Sequence, residues 1–342
     1  MRAFITGVAG PVLTDEERAF LRDAEPWGLI VFKRNIAEPD ALRRLIADVR
    51  ATLGWDAPVL IDQEGGRVQR MGLPSWPKYP PAAVYGALYD RDPARGLALA
   101  RLGARLIAAD LASVGIDVDC MPVADVPVAG ADAVIGDRAF GNQPGKVAAL
   151  AGAFAEGLAD GGVLPVVKHI PGHGRATADS HQKLPVVTAD REMLEATDFA
   201  AFRPLAALPL AMTAHVVFTA IDAVAPATTS VAIVRDVIRG WIGYRGLLMS
   251  DDISMGALSG SLGERTQSAI AAGCDMVLHC NGNMDEMLAV AAVAPQLHGE
   301  SARRATAALA SKKTAAPIDL AAERSDFFTA ISEVWEPARG LA

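Results

Sequence analysis

The sequence predicts an α/β chain folded as a single-domain (β/α)8 barrel of the TIM type, and three observations predict it. Eight short apolar runs of strand type alternate with segments whose apolar residues recur at helical spacing. Polar residues capable of chemistry crowd the C-terminal ends of those runs, where a parallel barrel carries its reactive face. The length of 342 residues fits one large domain, and no internal repeat, low-complexity block or linker divides it. We therefore read residues 1–342 as one domain with a helical C-terminal extension from about residue 285. An open, doubly wound sheet explains the same alternation and is the competing architecture.

Taken in order, Phe4 to Val8 is the first strand, and Thr14 with Glu17 has the spacing of a capping box that opens a helix. Gly28 to Phe32 is the second strand. Leu42, Leu45, Ile46, Val49 and Leu53 mark a helix that stops at Gly54, a residue suited to the left-handed conformation past a helix end. The third strand, Pro58 to Ile61, runs into Asp62-Gln63-Glu64-Gly65-Gly66-Arg67. A proline-rich loop from Leu73 to Pro81 precedes a helix bearing Leu102, Leu106, Ile107, Leu111 and Val114. Ile116 to Pro122 is the fourth strand. After a long loop, Val147, Leu150, Phe154 and Leu158 mark a helix, and Val163 to Val167 is the fifth strand. Asp190 caps a helix carrying Leu194, Ala201, Phe202 and Leu205. Leu210 to Ala214 is the sixth strand, with His215 at its end. A helix with Ile233, Val234, Val237 and Ile238 leads to the seventh, Gly246 to Ser250. The helix Arg265 to Ala272 leads to the eighth, Met276 to Leu278, and an Ala-rich helical region ends in a charged tail around Asp326 to Arg339.

A net charge of −8 and a pI near 5.3 argue against nucleic acid or an anionic membrane as partner, because phosphates repel an acidic surface. No run approaches the roughly 20 apolar residues of a membrane span, and the N-terminus lacks the pattern of a signal peptide. Cys120, Cys274 and Cys280 are too few and too scattered for a disulfide framework. Cytoplasmic residence is the expectation.

The chemistry centres on Lys168-His169-Ile170-Pro171-Gly172-His173-Gly174-Arg175-Ala176-Thr177-Ala178-Asp179-Ser180-His181, which holds three of the six histidines. A lysine at the mouth of a barrel is costly unless it meets an anion or a hydroxyl-rich ligand. Asp179 lies two residues from His181, close enough to orient its imidazole, although a local turn explains the spacing equally well. His173 is explained as a ligand or as a backbone-bonded turn residue. Asp251 ends the seventh strand, and its neighbour Asp252 is either the reactive carboxylate or the cap of the next helix. Pro171, Gly172 and Gly174 punctuate a loop that we expect to move on binding. No nucleotide-binding glycine loop follows a strand, and we expect neither cofactor nor metal. The rival on the same barrel is a metal-dependent hydrolase with ligands from His169, His173, His181, His215, Asp62 and Asp251. Against it, Lys168 would bring a positive charge to the metal. A non-catalytic sugar-binding protein is the third reading.

Five stretches, in order, resemble glycoside hydrolase family 3 and specifically its bacterial β-N-acetylglucosaminidases of cell-wall recycling. They are Gly28 to Asn35, Ile61 to Arg70, Ile135 to Phe140, Lys168 to His181, and Ser250-Asp251-Asp252-Ile253-Ser254-Met255. The resemblance implies a (β/α)8 barrel and a retaining exo-acting enzyme that removes terminal β-linked N-acetylglucosamine from muropeptides of the GlcNAc-anhydroMurNAc type. It implies Asp251 as nucleophile, His181 as general acid/base and Asp179 as the partner of His181. It further implies that Asp62, Arg70, Arg138, Lys168 and His169 bind the carbohydrate. Ala139 stands where a serine is common, and the region after the eighth strand matches loosely. A family 3 β-glucosidase is the nearest alternative in chemistry, but those enzymes usually draw their acid/base from an additional domain, for which this chain leaves no room.

Overall fold

The computed structural model describes residues 1–180 and 183–336. Short apolar runs cannot shield their own backbone groups, so they pair edge to edge until the first meets the last. The strands are β1 (Arg2–Thr6), β2 (Pro26–Val31), β3 (Val59–Ile61), β4 (Val118–Asp119), β5 (Leu164–Ile170), β6 (Leu210–Thr213), β7 (Leu247–Asp252) and β8 (Met276–His279). They form a closed barrel in chain order, every pairing parallel. Phe4 beside Val277 and Ile5 beside Gly28 fix the closure. This is the predicted barrel, not the open sheet.

Alternation along each strand divides the core in two. Ile5, Leu60, Val118, Val166, Met212, Met249 and Leu278 fill the barrel interior. Phe4, Leu29, Val59, Val167, Ala211, Leu248 and Val277 point outward into a larger core shared with the helices.

Those helices are α1 (Asp15–Ala24), α2 (Pro39–Leu53), α3 (Ala82–Arg91), α4 (Pro93–Ser113), α5 (Pro144–Asp160), α6 (Arg191–Ala196), α7 (Leu262–Ala272), α8 (Met284–Val293), α9 (Gly299–Ala310) and α10 (Leu320–Ile331). Thr14 and Glu17 make the expected capping box, and Gly54 takes the expected left-handed conformation. No helix among the described residues is long and apolar enough to cross a membrane.

Three expectations need correction. The proline-rich loop is followed by two helices, because Pro81 and Pro93 each start one, and Asp92 ends the first and caps the second. Asp190 does cap α6, but that helix stops at Ala196, and Ala201, Phe202 and Leu205 lie on a separate 3₁₀ turn containing Pro204. The supposed charged tail is α10 as far as Ile331. Phe327 and Ile331 are fully buried there, Tyr79 and Phe328 stack at 6.1 Å, and Arg324 reaches Asp110 at 2.7 Å. Arg339 lies outside the described residues. A helix whose apolar residues form no single stripe is hard to recognise until the surface that receives them is known.

α9 closes the N-terminal end of the barrel. Ala305 and Ala308 join the interior core beside Trp27, and Arg304 and Ser301 bond Asp275 at 2.9 and 2.8 Å. With the floor sealed, the open face is the one where the strands end.

Candidate active site

A cavity of about 450 Å³ opens at the C-terminal ends of the strands. Asp62, Arg70, Arg138, Lys168, His169, Asp179 and Asp251 all line it. His181 lies outside the described residues. The barrel thus brings together seven of the eight residues singled out from the sequence.

Each is placed by backbone that its neighbours dictate. Asp62 follows β3 directly and opens a tight hairpin, Gln63–Gly65 paired with Val68–Gln69. Gly65 has φ of +89°, and a Cβ there would lie 2.3 Å from the Pro80 carbonyl oxygen, so the turn requires glycine. That hairpin presents Glu64, Arg67 and Arg70 to the cavity. Lys168 and His169 lie on β5, and Asp251 and Asp252 end β7.

Lys168 is almost fully buried, with its Nζ 2.9 Å from Asp62 Oδ1 and 2.7 Å from Glu64 Oε1. Arg70 donates to Asp62 at 2.8 Å, and Arg138 clasps Glu64 through two hydrogen bonds of 2.8 Å. Burial by itself would raise both carboxyls, but Lys168 and Arg70 hold Asp62 far below its usual range, and Lys168 and Arg138 bring Glu64 down to about 2. Burial pulls on Lys168 the other way, and the two carboxylates more than reverse it, so the ammonium stays charged. Glu64 is therefore ionised at neutral pH and has no proton to give a leaving group.

A second group adjoins it. His169 Nδ1 lies 2.7 Å from Asp125 Oδ2, and Asp125 Oδ1 accepts from the His173 backbone N–H at 2.6 Å. His173 Nε2 meets Ser180 Oγ at 3.1 Å. Burial, reinforced by His169 nearby, pushes His173 down to about 4 and keeps it neutral at physiological pH. The His173 side chain therefore does more than hold its own turn.

Asp251 differs from its acidic neighbours. Asp62 and Glu64 are paired with Lys168 and the two arginines, Asp125 is paired with His169, and Asp252 accepts from the Ser254 hydroxyl at 2.7 Å and the Ser254 N–H at 3.0 Å. Asp252 is thus the cap of the turn after β7. Among the described residues, the Asp251 carboxylate accepts one hydrogen bond, from the Asp252 N–H at 2.8 Å. Burial would raise its pKa, yet His169, His215 and that N–H bring it below the usual value. It is an ionised carboxylate facing open space.

His215 bonds Thr228 Oγ1 through Nδ1 at 2.7 Å and donates to the Asp252 carbonyl through Nε2 at 3.0 Å. It steadies the end of β7 from below. Among the described residues, no group of three or more His, Cys, Asp or Glu is arranged to hold a metal ion.

The loop after β5 is tied down as far as Ser180. Val128 and Asp132 donate to the carbonyls of Gly174 and Ala176, Ala257 donates to that of Ser180, and Arg175 pairs with Asp198 at 3.0 Å. At Gly174 a Cβ would lie 2.2 Å from the Val126 carbonyl carbon, so a second glycine is obligatory.

The pattern described as "Glycosyl hydrolase family 3 N terminal domain" matches residues 7–309. The chain belongs to glycosyl hydrolase family 3. A "Beta-hexosaminidase" of Alkalilimnicola ehrlichii is 42% identical over 279 residues, 80% of this chain and 79% of its own. One of Chromobacterium violaceum is 40% identical over 84% of this chain and 82% of its own. The crystal structure of NagZ from Neisseria gonorrhoeae in complex with N-trifluoroacetyl-D-glucosamine superposes with a TM-score of 0.84 at 32% identity, over 97% of this chain and 96% of that one. This family 3 member is accordingly a glycoside hydrolase of the β-hexosaminidase kind, and its substrate is carbohydrate.

Two residues of the family 3 site carried no functional assignment in the sequence. Glu64 sits in the Asp62 motif, and its spacing of two on a hairpin was a signal. Asp125 sits in a long loop with no local pattern, and its role exists only through His169 and His173, 44 and 48 positions away.

Proposed function

We propose that this hydrolase is a retaining exo-β-N-acetylglucosaminidase acting on GlcNAc-anhydroMurNAc muropeptides through a covalent intermediate on Asp251. The observation that carries the reading is the state of Asp251: ionised, lining the cavity, and the least committed of the Asp62, Glu64, Asp125, Asp251 and Asp252 carboxylates. Asp62, Arg70, Arg138, Lys168 and His169 surround the remainder of the space with donors and acceptors suited to sugar hydroxyls, and the cavity is of a size for a small-molecule ligand. The N-trifluoroacetyl-D-glucosamine held by the gonococcal NagZ supports the choice of sugar.

In the first step a carboxylate oxygen of Asp251 attacks the anomeric carbon as the bond to the leaving oxygen breaks, and His181 delivers a proton to that oxygen. Asp179 orients the imidazole and stabilises its charged form. In the second step His181 takes a proton from water, which attacks the anomeric carbon and frees Asp251. Imidazole suits both tasks because it titrates near neutrality, whereas Glu64 is locked as an anion. Cytoplasmic residence, where the thiols of Cys120, Cys274 and Cys280 stay reduced, belongs to the same proposal and is tested by cell fractionation.

Incubation with a 5-fluoro N-acetylglucosaminyl fluoride, followed by peptide mass spectrometry, should place the label on Asp251. Asp251→Ala should lower kcat by about 10⁴-fold or more. A label on Asp252, or none, overturns the assignment. Faster hydrolysis of an aryl glucoside than of an aryl N-acetylglucosaminide would point to a β-glucosidase, and loss of activity in EDTA would revive the metal-dependent reading.

A further inference from the structure

A line of four buried residues joins the sugar-binding cluster to the loop that carries the proposed acid/base dyad. It runs from His169 to Asp125 (2.7 Å), from Asp125 to the His173 backbone (2.6 Å), and from the His173 ring to Ser180 (3.1 Å). Asp125 has no exposed surface, and His169, His173 and Ser180 are each at least nine-tenths buried. The His169 and His173 rings meet edge to face at 5.7 Å. Ser180 is held a second time, where its carbonyl accepts from Ala257 N–H in the segment after β7. His173, Asp179 and Ser180 all line the same cavity.

We propose that His173 and Ser180 are positioning residues for proton transfer, fixing the end of the β5 loop, and with it Asp179, against the wall that binds the sugar. The proposal rests on the reading of Asp179 and His181 as the acid/base dyad.

The geometry explains why each residue type is required. Among the described residues, the buried His173 Nδ1 has no hydrogen-bond partner. A neutral ring that must leave one nitrogen unpaired does so at least cost when that nitrogen carries no proton, which puts the hydrogen on Nε2. Nε2–H then donates to Ser180 Oγ. Asp125 completes the line: one oxygen takes His169 Nδ1, and the other takes the His173 backbone N–H. The β5 loop is therefore indexed to His169, a residue of the sugar site, by bonds that solvent does not reach. Displacement of a catalytic group by about 1 Å costs on the order of 100-fold in rate, so a bond of this kind matters to kcat while leaving the sugar contacts intact.

The decisive comparison is between two substrates on each variant, an aryl N-acetylglucosaminide with a poor leaving group and a dinitrophenyl one that needs no acid. Ser180→Ala and His173→Leu should lose roughly 10- to 100-fold in kcat on the poor leaving group. They should lose less than about threefold on the dinitrophenyl substrate, with KM and the Kd for free N-acetylglucosamine unchanged. His173→Gln, whose amide nitrogen reaches the place of Nε2, should recover most of the loss. If Ser180→Ala does not fold, Ser180→Cys, close in shape but a poor acceptor, carries the same comparison. Equal losses on both substrates, or none on either, overturn the proposal, as does failure of Gln to rescue. His181→Ala is the control for the underlying reading: if it shows no leaving-group dependence, the dyad assignment has failed, and not the clamp.

Discussion

Lys168 is the residue on which the electrostatics of the site turn. Its ammonium is the shared counterion of Asp62 and Glu64, and all three lie where water is scarce. Removing one partner of a buried ion pair costs about 3–5 kcal/mol, because the other charges remain in place. We expect Lys168→Met to destabilise the fold by about that amount and to abolish sugar binding, as urea unfolding and ligand titration would show. The pH dependence has a definite sign. A carboxyl held at about 2 against a usual 4.5, as Glu64 is, adds stability that is complete above its ordinary value and disappears as pH falls toward 2. Stability of the native protein should therefore decline between about pH 5 and pH 2. In Lys168→Met the folded-state pKa of Glu64 rises, so the decline should become shallower while its onset, set by the unfolded chain, stays in place, and a decline of unchanged depth would contradict the pairing.

At the scale of the element, the loop after β5 illustrates how backbone geometry serves chemistry. Gly174 passes so close to Val126 that no side chain fits, and this approach lets Gly174 and Ala176 accept hydrogen bonds from the β4 loop. Gly174→Ala should force the loop outward, destabilising the protein by about 1–3 kcal/mol and lowering kcat on poor leaving groups. Calorimetry and steady-state kinetics measure the two effects. From Gly174 to Ser180 the loop is bonded to the β4 loop, to Asp198 and to Ala257.

For the whole molecule, closure is the governing fact. β1 pairs with β8, so the two ends of the barrel's chain stabilise each other, and α9 and α10 then seal the floor and the flank. A chain ending after His298 should expose Trp27 and unpair Asp275 from Arg304, and it should also strip Tyr79 and Tyr85 of Phe327. Each large side chain so uncovered forfeits roughly 1.5–3 kcal/mol. We expect the truncated protein to be largely insoluble, while the full chain melts in one transition by both far-ultraviolet circular dichroism and tryptophan fluorescence. Two separate transitions in the full chain would mean that the C-terminal helices are an independent unit.

The amino-acid sequence determined the eight strands and their alternation with helices, because hydrophobic periodicity is a local property that each segment carries within itself. It also determined which residue types stand at the strand ends, from Asp62 through Lys168 to Asp251. Helices α3 and α10 were less legible, since their apolar residues form no single stripe and make sense only against Phe140, Tyr79 and α4. Tertiary structure decided the pairings: Arg138 with Glu64 across 74 positions, Lys168 with Asp62 across 106, and Asp125 with His169 across 44. Charge pairing depends on distance in space, and distance between residues so far apart in the chain is set only when the barrel closes in register. The same closure sets Asp251 and Asp252 apart, although both line the cavity, because Asp252 is bound to Ser254 and Asp251 is not.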